Sequence, residues 1–235
     1  MSEFDALFEA RVKAHYLEEK GEDYHLIKRK LSAELIPWIA RLRKEKFQHL
    51  IKPTDSVFEY GGGAGWNLMA LECGEKATYD LSSLNRTLFE SHGITFFDEE
   101  SKVPTKKYDV VICHHVLEHV PYPGITLAYL RELLKPNGKL ILVVPSEHQR
   151  RPDYSTKDRE GHLYTWTPQT LGNLVHRAGF QVGSISLLTT GYDRFAAELA
   201  KSLKVGEWGY RVLRKLAQWV RPSREVFLVA SIDKV

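Results

Sequence analysis

The chain has 235 residues, of which 43% are hydrophobic and 27% are charged, a composition typical of a globular protein with one substantial core. Thirty-three basic and 30 acidic residues leave a formal charge of +3 with neither sign concentrated, so a nucleic-acid partner is not expected. Cys73 and Cys113 stand far apart without metal-ligand spacing, which argues against a disulfide framework or a metal site and fits a reducing cytoplasm. We expect neither a secretion signal nor a membrane span, because no apolar run approaches roughly twenty residues.

Residues 4–50 predict two helices, because the segment is rich in helix-forming residues and apolar side chains recur at helical spacing between Leu31 and Leu42. We interpret residues 1–52 as a helical cap on a core that spans residues 53–235. The cap is expected to act as a lid, since the core does not need it. Its candidate lid residues are Tyr16, Tyr24, His25 and Trp38.

From Pro53 onward, short apolar or β-branched runs alternate with helical stretches, a pattern typical of a doubly wound, mostly parallel α/β sheet. The predicted strands are 56–60, 76–80, 94–97, 108–113, 139–144, 180–188 and 225–232. Helices are predicted over 125–134, ended by a Pro136-Asn137-Gly138 turn, and over 168–178, ended by Gly179. Two more helices are expected in an insertion at about 190–222.

A glycine-rich segment follows the first predicted strand and precedes a predicted helical run over 68–71. It reads Glu59-Tyr60-Gly61-Gly62-Gly63-Ala64-Gly65-Trp66. Glycines here allow a tight turn and close approach to a ligand at the carboxyl end of the strand. Trp66 stands where a dinucleotide-binding loop needs its last glycine, and the Gly-Lys-Ser/Thr of a phosphate-binding loop is absent. A purely structural glycine turn is the alternative.

The second predicted strand ends in Tyr79-Asp80-Leu81-Ser82. The two acceptor oxygens of Asp80 match the two donor hydroxyls of an unphosphorylated ribose. An aspartate at this position also commonly caps a helix, although Ser82 could do so instead.

The fourth predicted strand contains Asp109-Val110-Val111 and runs through Cys113-His114-His115 into Leu117-Glu118-His119, and Leu134-Lys135-Pro136-Asn137-Gly138 precedes the fifth. Taken in order with the glycine loop and Asp80, these segments resemble class I S-adenosylmethionine-dependent methyltransferases of the small-molecule, ubiquinone/menaquinone-like group. The resemblance covers about 57–144 and continues weakly through 162–167 and 178–180. It implies a Rossmann-like, seven-stranded, mostly parallel sheet with an antiparallel last strand.

The resemblance also implies S-adenosylmethionine as cofactor and methyl transfer to oxygen, nitrogen or carbon of a small-molecule or sugar acceptor, with oxygen or nitrogen favoured. The implied cofactor-binding residues are Glu59, Tyr60, Gly61, Gly62, Gly63, Gly65, Asp80, Leu81, Asp98, Cys113 and His114. Asp98 would meet the adenine amino group, although Asp98-Glu99-Glu100 also suits a solvated charged turn. Glu59 replaces the more usual aspartate, and Gly62-Gly63-Ala64 replaces Cys-Gly-Thr.

Histidines are the candidate general bases, because their reference pKa lies near 6.5 and a hydroxyl acceptor must lose a proton. The candidates are His114 and His115 after the fourth strand and His148 after the fifth, with His162 further along the same loop. Arg150 and Arg151 could hold an anionic group of the acceptor. For His114 and His115 the alternative is a structural role or contact with the cofactor. For the residues of the later loop the alternative is a solvated loop, and for His119 structural packing is favoured.

Near the end of the chain, Trp208, Val212, Leu216 and Trp219 share one face of a predicted helix, with Arg211, Arg214, Lys215 and Arg221 around it. Such a helix over 208–221 could make peripheral contact with an anionic membrane, or it could face the core.

Rival functions remain open at this point. Trp66 and the lack of a Tyr-x-x-x-Lys arrangement argue against a Rossmann-type nicotinamide oxidoreductase. A cofactor-binding protein without turnover is also compatible with the sequence. Methylation of DNA or RNA is disfavoured, because the segment after the fourth strand lacks the Asn/Asp-Pro-Pro-Tyr/Phe motif that holds a flipped base.

Overall fold

The computed structural model describes residues 3–17, 31–146 and 160–232. The strands are β1 Ser56–Tyr60, β2 Glu75–Tyr79, β3 Ile94–Phe97, β4 Tyr108–His114, β5 Leu134–Ser146, β6 Phe180–Thr190 and β7 Ser223–Ile232. The α-helices in these ranges are α1 Glu3–Leu17, α2 Ile36–Phe47, α3 Trp66–Met69, α4 Arg86–Ser91, α5 Pro123–Leu133, α6 Pro168–Arg177, α7 Asp193–Ser202 and α8 Gly206–Val220.

The strands form one seven-stranded sheet in the order β3-β2-β1-β4-β5-β7-β6. Strands β1 to β5 pair in parallel, and β7 pairs antiparallel with both β5 and β6. The predicted mostly parallel sheet with an antiparallel last strand is therefore confirmed. The strand order reverses between β1 and β4, which is where open α/β sheets bind their ligands.

Both faces of the sheet are covered, which explains why β1 is buried along its whole length and shows no polar alternation. One face packs on α5 and α6, with Leu127, Leu130 and Leu171 among the buried contacts. The other face packs on α2, α3 and α4 through Phe47, Leu68 and Phe89.

A smaller apolar cluster joins the cap to the late insertion. Leu35 and Ile39 pack with Ala196 and Ala200 of α7 and with Tyr210 of α8. The two insertion helices were predicted, and α7 and α8 lie within the predicted range of 190–222. The division of the chain at residues 52 and 53 stays a prediction.

Two local predictions differ from the structure. Strand β5 begins at Leu134, and the predicted Pro-Asn-Gly turn is an irregularity within it, because Asn137 adopts a φ of +64° and the register to β4 shifts there. The helix after the glycine loop is a single turn over Trp66–Met69 instead of 68–71. Among the residues that the structure describes, no helix is long and apolar enough to cross a membrane.

Candidate functional site

A cavity of about 450 Å³ opens at the carboxyl ends of β1, β2 and β4. Its walls come from α1, from the glycine loop and from the segments that follow β2, β3 and β4, with Arg43 and Arg194 added by α2 and α7. Parallel strands present their carboxyl ends at one edge of the sheet, so the predicted motifs meet although they are distant in sequence.

The glycine loop forms one wall and needs its glycines for two reasons. Gly61, Gly63 and Gly65 have φ values of +79°, +52° and +76°, which favour glycine. A side chain at Gly61 would collide with Val116, and one at Gly62 would collide with Thr78. At Gly63 no atom lies within 4 Å of an added Cβ. Gly61, Gly62 and Gly63 line the cavity, so the backbone at Gly63 is open to a ligand.

Asp80 lies beside this loop and lines the cavity with Leu81. Its carboxylate accepts hydrogen bonds of 2.7 Å from the backbone N of Gly63 and 2.9 Å from the backbone N of Ser82. Asn85 donates a 2.6 Å bond to the carbonyl of Gly63. The carboxylate and the loop therefore hold each other in place. The side chain of Ser82 makes the predicted cap by accepting from the N–H of Leu84.

Glu59 lies buried behind the loop, with 1% of its surface exposed. Asn67 donates a 2.5 Å hydrogen bond to one carboxyl oxygen, and the other has no hydrogen-bond partner among the described residues. Burial raises the pKa of Glu59 to about 8, although the bond from Asn67 opposes this rise. A buried carboxyl oxygen without a partner is costly, and a polar group of a ligand would relieve that cost.

The acidic turn after β3 places Glu100 at the cavity and Asp98 outside it. The hydroxyl of Tyr60 donates a 2.7 Å bond to Glu100, and both residues line the cavity. Asp98 is paired instead with Arg86 at 2.7 Å and Lys102 at 3.0 Å, and it is not a lining residue. The sequence alone does not distinguish Glu100 from its neighbours, because three acidic residues follow one another and only the backbone path decides which one faces the cavity.

His114 lines the cavity and is held from the side of α2. Its Nε2 lies 2.9 Å from Arg43 and 3.3 Å from Lys46. Both cations can only donate, so Nε2 is the acceptor and the imidazole is neutral. Burial, together with the charges of Lys46, His115 and Arg43, places the pKa of His114 well below its ordinary value.

His115 also lines the cavity and has a φ of +55°, a strained value for a residue with a side chain. Its ring stacks on His114, and its Nε2 lies 3.2 Å from a carboxylate oxygen of Glu225 on β7. Glu225 is buried and also binds Lys46. Burial alone would raise the pKa of Glu225, but the bond from His115 and the charge of Lys46 outweigh it, so the net pKa is well below its ordinary value.

Two groups of side chains in the described ranges have spacing that could hold a metal ion. They are His114 with His115 and Glu225, and Glu118 with His119 and His162. At the first group, Arg43 and Lys46 already place two positive charges within hydrogen-bonding distance of His114, which opposes a further cation there.

Helix α1 forms one wall of the cavity. Tyr16 lies 2.6 Å from Nδ1 of His119, and Tyr122 donates a 2.7 Å bond to Asp5. Glu9, Val12, Lys13 and Tyr16 line the cavity. The lid role of the N-terminal segment stays a prediction, and Trp38, one of its candidate residues, packs on Tyr210 and does not line the cavity.

Several predicted site residues lie elsewhere. Cys113 is buried in β4, Gly65 packs against Phe89, and neither lines the cavity. The ring of His162 packs edge-to-face against the ring of His119 and does not line the cavity. Tyr24, His25, His148, Arg150 and Arg151 fall outside the described residues.

Comparisons with known proteins agree with this geometry. Residues 27–185 match the family model described as a methyltransferase domain. A Schizosaccharomyces pombe protein, ubiquinone biosynthesis O-methyltransferase, mitochondrial, is 43% identical over 74 residues, which are 32% of this chain and 26% of that protein. The ubiquinone biosynthesis O-methyltransferase of Photobacterium profundum is 34% identical over 71 residues, 30% of this chain and 25% of that protein. The match thus spans about a quarter of the length of these relatives.

A solved structure resembles nearly the whole chain. It is Burkholderia thailandensis 1,6-didemethyltoxoflavin-N1-methyltransferase with bound 1,6-didemethyltoxoflavin and S-adenosylhomocysteine. It gives a TM-score of 0.57 at 18% identity and covers 98% of this chain and 90% of that chain. At this identity the likeness establishes the fold. Because the family model covers more than half of the sequence and the sheet and glycine loop agree with it, this chain belongs to the methyltransferase-domain family.

Proposed function

We propose that the protein transfers a methyl group from S-adenosylmethionine to an oxygen or nitrogen of a small-molecule or sugar acceptor. The observation that carries the proposal is the glycine loop at the end of β1, where the open backbone of Gly63 faces the cavity next to the carboxylate of Asp80. Family membership supports the same reaction.

The residues present suit this cofactor. Asp80 lines the cavity beside the glycine loop, and its carboxylate oxygens can each accept more than one hydrogen bond, so it would hold the ribose hydroxyls. Glu100 would accept a hydrogen bond from the adenine amino group, with Tyr60 fixing its carboxylate. Glu59 supports the loop from behind, where Asn67 donates to one of its carboxyl oxygens, and it does not line the cavity. When bound, S-adenosylmethionine supplies an electrophilic methyl group on a positively charged sulfur.

The acceptor would occupy the part of the cavity under α1. Apolar and aromatic side chains form that wall, namely Val12, Tyr16, Val120, Tyr122 and Ile125. Such a wall suits a flat or apolar acceptor and excludes water, and holding the nucleophile close to the methyl group supplies much of the rate acceleration.

Of the candidate bases, His115 suits proton removal best. Nε2 of His114 already accepts from Arg43, so it is not available to an acceptor hydroxyl. In His115, donation from Nε2 to Glu225 leaves Nδ1 as the proton acceptor, with the ring orientation fixed by a buried carboxylate. Burial lowers the pKa of His115 despite its bond to Glu225, so the imidazole is neutral near pH 7 and competent as a base.

The first test is isothermal titration of the protein with S-adenosylhomocysteine, with NAD titrated in parallel. We expect saturable micromolar binding of S-adenosylhomocysteine and none of NAD. Gly63→Val should abolish binding, because its side chain would enter the cavity. Gly93→Val is the matched control, since Gly93 also has a positive φ of +68° and open space around it but does not line the cavity.

Other results of these titrations would support other functions or another location for the site. Binding of NAD alone would favour the nicotinamide oxidoreductase and overturn the proposal. Equal loss of affinity in both glycine variants would assign the effect to backbone strain and move the site away from the loop. Binding without turnover across a panel of phenols, amines and sugars would favour a cofactor-binding protein. The cytoplasmic location stays a prediction.

A further inference from the structure

Helix α8 carries an apolar face that the fold does not use. Trp208 is 76% exposed and Trp219 is 83% exposed, and Leu216 and Val220 are exposed beside them. Trp208, Val212, Leu216 and Trp219 follow one another at helical spacing, so they share one side of the helix. We call this side the outer face of α8. Large aromatic side chains are rarely so exposed without a function.

The opposite side of α8 holds the helix on the protein. Tyr210 and Gln218 are buried there, and Leu213 packs with the cluster around Leu35 and Ile39. Arg214 donates a 2.6 Å bond to the buried carboxylate of Asp193. Since these contacts anchor the helix, the two tryptophans are not needed to keep it folded.

The surroundings of the outer face are strongly basic. Residues 203–224 contain six basic side chains and one acidic side chain, Glu207. Glu207 is engaged with Arg41 at 2.5 Å and with Arg211. The remaining cations are exposed and form no ion pair among the residues that the structure describes, namely Lys204, Lys215, Arg221 and Arg224. Lys215 lies directly beside Trp208 on the helical wheel, so positive charge adjoins the apolar surface.

We propose that the outer face of α8 docks on an anionic lipid surface. Tryptophans prefer the boundary between headgroups and acyl chains, while neighbouring lysines and arginines attract anionic headgroups. A second copy of this chain is disfavoured as the occupant. A two-fold contact through this face would bring Lys215 and its basic neighbours against the same charges of the other copy. A lipid surface supplies both the apolar layer and the negative charge that this face lacks.

Cosedimentation with vesicles tests the docking. The full chain is mixed with two kinds of vesicle at low and at high salt. One kind contains only phosphatidylcholine, and in the other about one third of the lipid is phosphatidylglycerol. We expect binding to the anionic vesicles, weakening as salt rises, and little to the neutral ones. Trp208→Ala with Trp219→Ala should reduce the bound fraction about tenfold or more, since buried aromatic area is lost. Lys204→Glu with Lys215→Glu should abolish the preference for anionic lipid.

Matched controls are available on other exposed surfaces. Leu187→Ala removes an exposed apolar side chain of β6, and Lys106→Glu reverses a charge in the turn before β4. Both should bind vesicles as the unchanged protein does. Circular dichroism of every variant checks that the fold is retained, which is expected because all altered side chains are exposed. Quenching of tryptophan fluorescence by brominated acyl chains, lost in the double tryptophan variant, would place these residues in the bilayer.

Three outcomes would overturn the proposal. One is the absence of vesicle binding under all conditions. Another is binding that the double tryptophan variant retains. The third is concentration-dependent dimerisation of the unchanged protein, abolished by the tryptophan changes without any vesicle binding, which would assign the face to a second copy. None of these measurements depends on methyl transfer.

Discussion

Nε2 of His115 lies 3.2 Å from one oxygen of the buried carboxylate of Glu225, and Lys46 binds the other oxygen. A strained histidine at the end of β4 is thus oriented by a residue of β7, 110 positions later in the chain. The arrangement fixes which ring nitrogen points toward the carboxylate, and it makes the pKa of the imidazole depend on Glu225.

We predict that His115 titrates below its ordinary value of about 6.5 and that Glu225→Gln lowers this pKa further. Burial is the main cause of the lowered pKa, and the bond and negative charge of Glu225 oppose it. Removing that charge therefore leaves burial and the nearby cations without opposition. NMR titration of the ring protons, assigned with His115→Asn, measures both values. Asp98→Asn, which removes a carboxylate outside the cavity, should leave the titration unchanged. A rise of the pKa in Glu225→Gln would contradict the predicted direction.

We predict that the ligand-free protein becomes less stable as the pH rises, because of Glu59. Its pKa is about 8 in the folded chain against an ordinary value of 4.5, because the carboxyl is buried. The unfolded chain releases the proton first, so the free energy of unfolding should fall as the pH rises from about 5 to 8. Glu59→Gln keeps the acceptor for Asn67 and should be more stable at pH 8 by at least about 1 kcal/mol.

Urea unfolding at pH 5 and pH 8 measures this effect. The unchanged protein should lose stability across that range, and the Glu59→Gln variant should lose less. Glu90→Gln, an exposed carboxyl of α4, serves as the control and should follow the unchanged protein. Identical slopes for all three proteins would show that Glu59 is ionised in the folded state.

Asp80→Ala should weaken binding of S-adenosylhomocysteine by about 1–3 kcal/mol, roughly fivefold to 150-fold. The change removes the carboxylate proposed for the ribose and frees the backbone N of Gly63. Asp98→Ala is the matched control at the end of the neighbouring strand and should bind normally, because Asp98 lies in surface ion pairs. Calorimetry of both variants separates the two sites. A loss of affinity in Asp98→Ala alone would restore Asp98 as a cofactor residue.

Glu100→Gln tests whether Glu100 binds the adenine, which is the role expected from the sequence for Asp98. The glutamine would still accept a hydrogen bond from the hydroxyl of Tyr60, but it would no longer present a charged acceptor to the adenine amino group. We expect affinity for S-adenosylhomocysteine to fall about threefold to tenfold, which corresponds to one weakened hydrogen bond. Affinity for S-adenosylhomocysteine equal to that of the unchanged protein would place the adenine elsewhere in the cavity.

Most of the fold could be predicted because each signal is local. The buried run of β1, the glycines after it and the stop at Gly179 are encoded in consecutive residues. The parallel sheet then brings the ends of β1 and β2 together, so the proximity of Gly63 and Asp80 follows from the topology. His114 at the end of β4 and His115 directly after it reach the cavity for the same topological reason.

The remaining features depend on contacts that no local pattern contains. Glu225 reaches His115 only because β7 inserts antiparallel between β5 and β6, and glutamate in a buried strand gave no separate signal. Periodicity identified the apolar stripe of α8, but it could not decide which side of the helix would pack. The packing of Tyr210 settled that choice and left Trp208 and Trp219 exposed.

Two tyrosine hydroxyls hold helix α1 against the cavity, and we predict that removing either one loosens the helix. Tyr16→Phe removes the 2.6 Å bond to His119, and Tyr122→Phe removes the 2.7 Å bond to Asp5. Each lost hydrogen bond should lower the free energy of local opening of α1 by about 1 kcal/mol, which corresponds to roughly fivefold faster amide exchange in the helix. Hydrogen exchange followed by mass spectrometry should therefore show faster exchange confined to residues 3–17. Tyr192→Phe removes a 2.9 Å bond to the carbonyl of Arg221 far along the chain and should leave α1 unchanged. If the exchange of α1 were the same in all three variants, packing of Val12 and its neighbours, and not the hydroxyls, would hold the helix in place.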